Sequence, residues 1–186
     1  MANRKVYISG EIVPEEDAKI SIFDSAVLLG DTVTESTRTF NYKPYKLDEH
    51  IDRLYKSFKL TRIDPQMSKK EMLDVSLNLL EINKDEYGTN EDCWLVHNVS
   101  RGHSITGGNP ALQVSKPTVM IYTQPMNLIL WAPFYTKGCH AVIPSTRMVP
   151  SQSLDARIKN RSRLFYTLAE IEAKLVDPEA QSVILD

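Results

Sequence analysis

The chain has 186 residues, of which 42% are hydrophobic and 25% charged, with a net charge of −2. That length buries roughly 70% of the unfolded surface, enough for a real core in one domain or two small ones. The near-neutral balance excludes an electrostatic footprint for nucleic acid or an anionic membrane, and no run approaches the ~20 apolar residues of a membrane helix, the nearest being the short, proline-containing Met126–Phe134. Cys93 and Cys139 stand alone without CxxC spacing, which suits reduced thiols in a cytoplasmic protein better than a disulfide framework or zinc site. The opening Met1-Ala2-Asn3-Arg4-Lys5 leads into polar alternation, not an apolar signal core.

In chain order, Val6–Ser9 and Ile12–Pro14 flank Gly10-Glu11 and predict a hairpin. Thr32 to Phe40, rich in Thr and Val, reads as a long strand; Asn41-Tyr42-Lys43-Pro44 is turn chemistry, with Tyr45-Lys46-Leu47 as the returning strand. Asp48 is the expected N-cap of a helix whose apolar stripe is Ile51, Leu54, Tyr55 and Phe58, while His50, Arg53 and Ser57 share a neighbouring face. Ser68-Lys69-Lys70-Glu71 predicts a capping box opening a second helix that carries Met72, Leu73, Leu77 and Leu80 to about Ile82. Trp94–Val99 and Thr118–Tyr122 read as strands around a long loop, 103–117, that contains Gly107-Gly108-Asn109-Pro110. Beyond an irregular apolar stretch, Cys139–Ile143 starts a strand, Leu164, Phe165, Leu168, Ile171 and Leu175 mark an amphipathic helix stopped at Asp177-Pro178, and Ser182–Leu185 opens a last strand. Two short strands and a helix cannot cover their own apolar faces, so this second part reads as unfinished.

Common catalytic signatures are missing. His50, His97, His103 and His140 show no HxH or HExxH spacing, so no metal site is expected. There is no GxSxG, GxxxxGK[ST] or GxGxxG motif, and the cluster Arg157, Lys159, Arg161, Arg163 reads as a solvated helix start. Three separated pieces remain: Gly30-Asp31-Thr32-Val33-Thr34-Glu35-Ser36-Thr37-Arg38, then Leu47-Asp48-Glu49-His50-Ile51-Asp52-Arg53-Leu54, then Ile158-Lys159-Asn160.

In that order the pieces resemble the class IV (fold type IV) pyridoxal-phosphate-dependent aminotransferases, whose members include branched-chain, D-amino acid and (R)-amine transaminases and, as a non-transaminase relative, aminodeoxychorismate lyase. The resemblance covers nearly all of residues 3–186. It implies an α/β fold of the α+β type: a two-layer α/β N-terminal domain over 1–124, a linker over 125–133, and the beginning of a fold type IV pseudo-barrel cofactor domain over 134–186. It also implies pyridoxal 5′-phosphate as cofactor, an amino donor and a 2-oxo acid as substrates, and a homodimer.

By the same resemblance Lys159 is the Schiff-base lysine and the acid/base, and Arg53 binds the cofactor phosphate. A permanently charged planar fork suits that phosphate. A lysine that reacts as a free amine needs its pKa lowered, and neighbouring arginines and partial burial act in that direction. Thr34 and Arg38, on one strand face, and Arg101 match positions lining the substrate pocket; His50 matches the motif as a residue orienting the helix. The bland alternatives are a helical Arg53–Glu49 ion pair and a structural ion pair for Arg38. Five residues past Lys159, where branched-chain enzymes carry tyrosine, this chain has Leu164, with Tyr166 two further on. The family's later cofactor motifs, including the glutamate that pairs with the pyridine nitrogen, have no counterpart in these 186 residues. A lyase, or a noncatalytic dimerising module, is the rival reading.

Overall fold

Ser9 and Gly10 take positive φ of 47° and 110°, as type I′ hairpin turns require, and join β1 (Lys5–Ile8) to antiparallel β2 (Glu11–Pro14). The short helix α1 (Ser25–Leu29) is capped by the Asp24 carboxylate and ends on left-handed Gly30 at φ 67°. The strand that follows, β3 (Thr32–Phe40), has the expected limits. Asn41 and Tyr42 turn the chain at positive φ, and β4 is Lys43–Pro44, not Tyr45–Leu47. The difference lies in Lys46, whose left-handed φ of 53° ends the strand and makes it the residue before α2 (Leu47–Thr61); Asp48 therefore sits in the first helical turn instead of capping it.

Helix α3 (Lys69–Asn83) opens on the predicted capping box, with Ser68 and Glu71 bonded reciprocally. Strands β5 (Cys93–Ser100) and β6 (Thr118–Pro125) complete an antiparallel sheet of order β2-β1-β6-β5-β3-β4. The computed structural model describes residues 3–88, 91–103 and 116–186; most of the loop predicted at 103–117 lies outside them.

The register places Val33, Glu35 and Thr37 of β3 beside Val99, His97 and Leu95 of β5, and these beside Val119, Ile121 and Thr123 of β6. This is the inner face, on which Leu54, Phe58, Met72 and Leu79 of α2 and α3 are buried. Leu77 and Ile82, expected in the α3 stripe, are exposed. Their arc is displaced because Ser76 and Asn83 take the inward positions, Asn83 bonding the Lys5 N–H (2.7 Å), the Lys5 carbonyl (2.9 Å) and the Thr123 hydroxyl (3.0 Å).

These elements and the distant segment Arg157–Arg161 form one unit, Met1–Met126 plus Arg157–Arg161. The sequence division at 125–133 assigns that segment to a second domain, whereas its backbone pairs with the edge of β3. The other unit is Asn127–Ala156 with Ser162–Asp186. It contains the short helix α4 (Phe134–Lys137), two-residue strands β7 (Ala141–Val142) and β8 (Gln181–Ser182) in parallel, and α5 (Leu164–Val176). Ala169 and Ala173 face inward from α5, the Glu172 carboxylate accepts from the backbone N–H groups of Ser145 and Thr146, and Leu164, Leu168, Ile171 and Leu175 are exposed. Among the described residues, no helix is long and apolar enough to cross a membrane.

Candidate active site

A carboxylate with no exposed surface sits where α2 crosses β3. Glu35 accepts from Arg53 through both carboxylate oxygens, Nε to Oε2 at 2.7 Å and Nη2 to Oε1 at 2.6 Å. Its Oε1 also receives the Ser36 N–H at 2.9 Å and meets His50 Nδ1 at 3.0 Å. An ionised carboxylate can only accept, so Nδ1 carries the proton in that contact. Burial by itself would raise the Glu35 carboxyl; the bonds from Arg53, His50 and the Ser36 N–H outweigh it and hold the group below the usual carboxylate range. The same pairing holds the Arg53 guanidinium more firmly protonated than usual. Arg53 thus pairs with Glu35 of the strand, not with Glu49 of its own helix.

Directly opposite Glu35 in the register is His97, also fully buried. Ser76 donates its hydroxyl proton to the Met72 carbonyl (2.6 Å) and so accepts from His97 Nε2 at 2.8 Å, while Nδ1 has no partner among the described residues. Burial pushes the imidazole down to about 4, with the Glu35 charge pulling the other way, so His97 is neutral near pH 7.

One turn beyond Arg53 on the same face of α2, Ser57 is buried and its Oγ accepts the Lys159 N–H at 3.3 Å. On its other side Lys159 is held by β3: its carbonyl accepts the Thr34 N–H at 2.8 Å, and the Arg161 N–H donates to the Thr32 carbonyl at 2.9 Å. The backbone of half-buried Lys159 is therefore fixed between strand and helix, beside the turn that follows Arg53. Positions four apart on a helix lie about 6 Å from each other.

A groove of about 800 Å³ runs along this helix, lined among others by His50, Arg53, Lys56, Lys59 and Arg157. Its size is that of a small-molecule site. Five cations (Lys46, Arg53, Lys56, Lys59, Arg157) against two acids (Glu49, Asp52) give the lining a net positive charge. With Nε and one Nη2 proton of Arg53 committed to Glu35, the opposite edge of a half-exposed guanidinium is left for an anion. These residues fit a phosphate ester.

The other expected site residues are dispersed. Thr34 is buried, its hydroxyl donating to the His97 carbonyl at 3.0 Å. Arg38, at the far end of β3, stacks 3.9 Å from the Phe40 ring centroid and lies 3.9 Å from Asp92. Arg101 ties the start of β3 to the end of α2, donating to Asp31 (2.8 and 3.3 Å) and to the carbonyls of Arg62 and Thr61 (3.0 Å each). By strand rise, Arg38 and Arg101 are roughly 20 Å apart along the sheet, so one small substrate does not span both. Sequence reasoning gave Glu35 no role, although its signal was present: an acid inside a Thr-rich buried strand, ahead of a helix carrying His50 and Arg53 on one face.

Residues 32–186 match the family described as amino-transferase class IV, and the chain belongs to it. Enzymes of that class depend on pyridoxal phosphate, and the mixed architecture is that of fold type IV. Over 169 residues the chain is 36% identical to a putative branched-chain-amino-acid aminotransferase of Methanocaldococcus jannaschii, covering 91% of this chain and 55% of that protein. It is 33% identical over 121 residues to an aminodeoxychorismate lyase of Bacillus subtilis, 65% of this chain and 40% of the lyase. The branched-chain amino acid aminotransferase of Escherichia coli superposes with a TM-score of 0.82 at 22% identity, over 99% of this chain and 60% of that one. The chain spans about half the length of the M. jannaschii relative.

Proposed function

We propose that this chain provides the phosphate-binding helix and the reactive lysine of a pyridoxal-phosphate-dependent aminotransferase of the branched-chain type, moving an amino group between an amino acid and a 2-oxo acid. The observation that carries the reading is the double anchoring of Lys159, by the Thr34 N–H and by Ser57 Oγ, one helical turn from Arg53. In this assignment Lys159 attaches the cofactor and carries the proton that leaves the substrate α-carbon, and the outward edge of Arg53 holds the phosphate. The bound cofactor supplies the electron sink for that proton transfer. His50 and Glu35 hold the helix and its arginine, and Arg101 braces the end of α2; the buried Thr34 and the distant Arg38 lie outside the groove lining.

Two further elements belong to the proposal. A homodimer is supported by the apolar surface around α1, where Ile22, Phe23, Val27 and Leu29 are each more than half exposed. A cytoplasmic setting is supported by two free cysteines, one of them, Cys93, a buried thiol pushed up to about 11.

The test is a half-reaction with the protein purified from its own gene: pyridoxal phosphate and L-leucine, with pyridoxamine phosphate and 2-oxo acid as readouts. The expected result is stoichiometric conversion by the wild type and none by Lys159→Ala. Conversion by the Lys159→Ala variant contradicts the assignment. The relationship to the B. subtilis lyase makes release of pyruvate from aminodeoxychorismate, without added 2-oxo acid, the matching control; robust release would select the lyase reading. A stable dimer that takes up no cofactor would select the noncatalytic one.

A further inference from the structure

We infer that Glu35 is a positioning residue for cofactor phosphate: its buried carboxylate fixes the Arg53 fork so that only the outer edge of the guanidinium faces the groove. The inference rests on the reading of Arg53 as the phosphate residue. A half-exposed arginine on a helix otherwise samples many rotamers. Here two parallel bonds of 2.7 and 2.6 Å to a carboxylate with no exposed surface remove that freedom. Glu35 is itself held by the Ser36 N–H and by His50, so the clamp is rigid on both sides. The edge built from Nε and Nη2 is consumed, which leaves Nη1 and the second Nη2 proton as the fork for a ligand.

Charge and orientation oppose each other at this position, which makes the inference decidable. The Glu35 charge cancels that of Arg53, so the pair offers no net attraction, and the positive potential of the groove comes from Lys56, Lys59 and Arg157. If Coulomb attraction controlled anion binding, Glu35→Gln would strengthen it. If orientation controls it, the same change weakens binding, because an amide accepts from only one of the two Arg53 donors and its NH2 group repels the other.

The experiment compares pyridoxal 5′-phosphate with pyridoxal, which lacks the phosphate. Half-saturation is read by borohydride trapping at Lys159 and peptide mass spectrometry. The wild type is expected to prefer the phosphorylated form. In Glu35→Gln that preference falls roughly tenfold, the scale of one charge-assisted bond, while pyridoxal half-saturation is unchanged. Glu35→Asp, which keeps the charge but is one methylene too short for the fork, is expected to behave alike and serves if the glutamine variant does not fold. Arg53→Ala loses the preference, and adding Glu35→Gln to it costs nothing more.

Unchanged or tighter phosphate binding in both Glu35 variants, with loss in Arg53→Ala, overturns the inference and leaves the Arg53 reading standing. Equal weakening of both ligands marks Glu35 as merely structural and also overturns it. No loss in Arg53→Ala overturns the Arg53 reading, and the inference with it.

Discussion

Replacing Arg53 by alanine isolates the physical core of the site. Glu35 accepts four hydrogen bonds, two of them from Arg53, and the remaining two both go to Oε1. The variant therefore leaves Oε2 buried and bare. Breaking a fully buried pair costs about 3–5 kcal/mol. Arg53 is 52% exposed, so water reaches the vacated side, and the cost is reduced to about 2–3 kcal/mol at pH 7.

The pH dependence has a definite sign. In the wild type the Glu35 carboxyl is held below its unfolded value, so its stabilisation is full above about pH 4.5 and is lost as pH falls through the folded pKa. In the variant, burial acts unopposed by Arg53 and raises the carboxyl, so the penalty is relieved as pH falls. The gap between the two proteins should therefore narrow between pH 7 and pH 4.5. Urea unfolding followed by Trp94 fluorescence, in a Trp131→Phe background, reads this unit alone. A gap below about 0.5 kcal/mol at pH 7, or one that does not narrow on acidification, would mean that Arg53 does not hold the Glu35 carboxylate ionised.

His97 predicts a second acid effect in a different window: with a folded value of about 4 against about 6.5 unfolded, stability falls by up to about 3 kcal/mol from pH 6.5 to pH 4. His97→Gln should flatten that slope in the same urea series. Ser57→Ala removes the acceptor of the Lys159 N–H, and hydrogen exchange at that amide should accelerate roughly fivefold, matching a bond of about 1 kcal/mol; unchanged exchange would mean that Ser57 does not anchor the segment. Arg101→Ala breaks the Asp31 pair and uncaps the carbonyls of Thr61 and Arg62. It should cost about 1–3 kcal/mol in urea unfolding, with amide protection lost first in the last turn of α2.

Much of the first unit was legible because local chemistry and tertiary structure agree there. Strand β3 is a β-branched run bounded by Gly30-Asp31 and Asn41-Tyr42, and α3 announces itself through Ser68 and Glu71. The displaced start of α2 was not legible, because the left-handed turn at Lys46 leaves no glycine or asparagine to signal it. Periodicity also could not tell which apolar arc of α3 faces the sheet, since the polar anchors Ser76 and Asn83 take the inward positions.

At the site, the resemblance supplied Lys159 and Arg53, but no local pattern joins residue 159 to Thr34 and Ser57, which lie more than a hundred positions earlier. The role of Glu35 depends on that same long-range geometry. Within the motif it is one of two acids, with Asp31, and its meaning emerges only when helix and strand are brought together.

The most direct test of the account is where the cofactor becomes attached. The purified protein is incubated with pyridoxal 5′-phosphate, reduced with borohydride and digested, and the modified lysine is located by mass spectrometry among the thirteen in the chain. Saturable modification of Lys159 is expected at cofactor concentrations that leave the other twelve lysines untouched. Modification spread over Lys56, Lys59 and the remaining surface lysines, with Lys159 unlabelled, would contradict it.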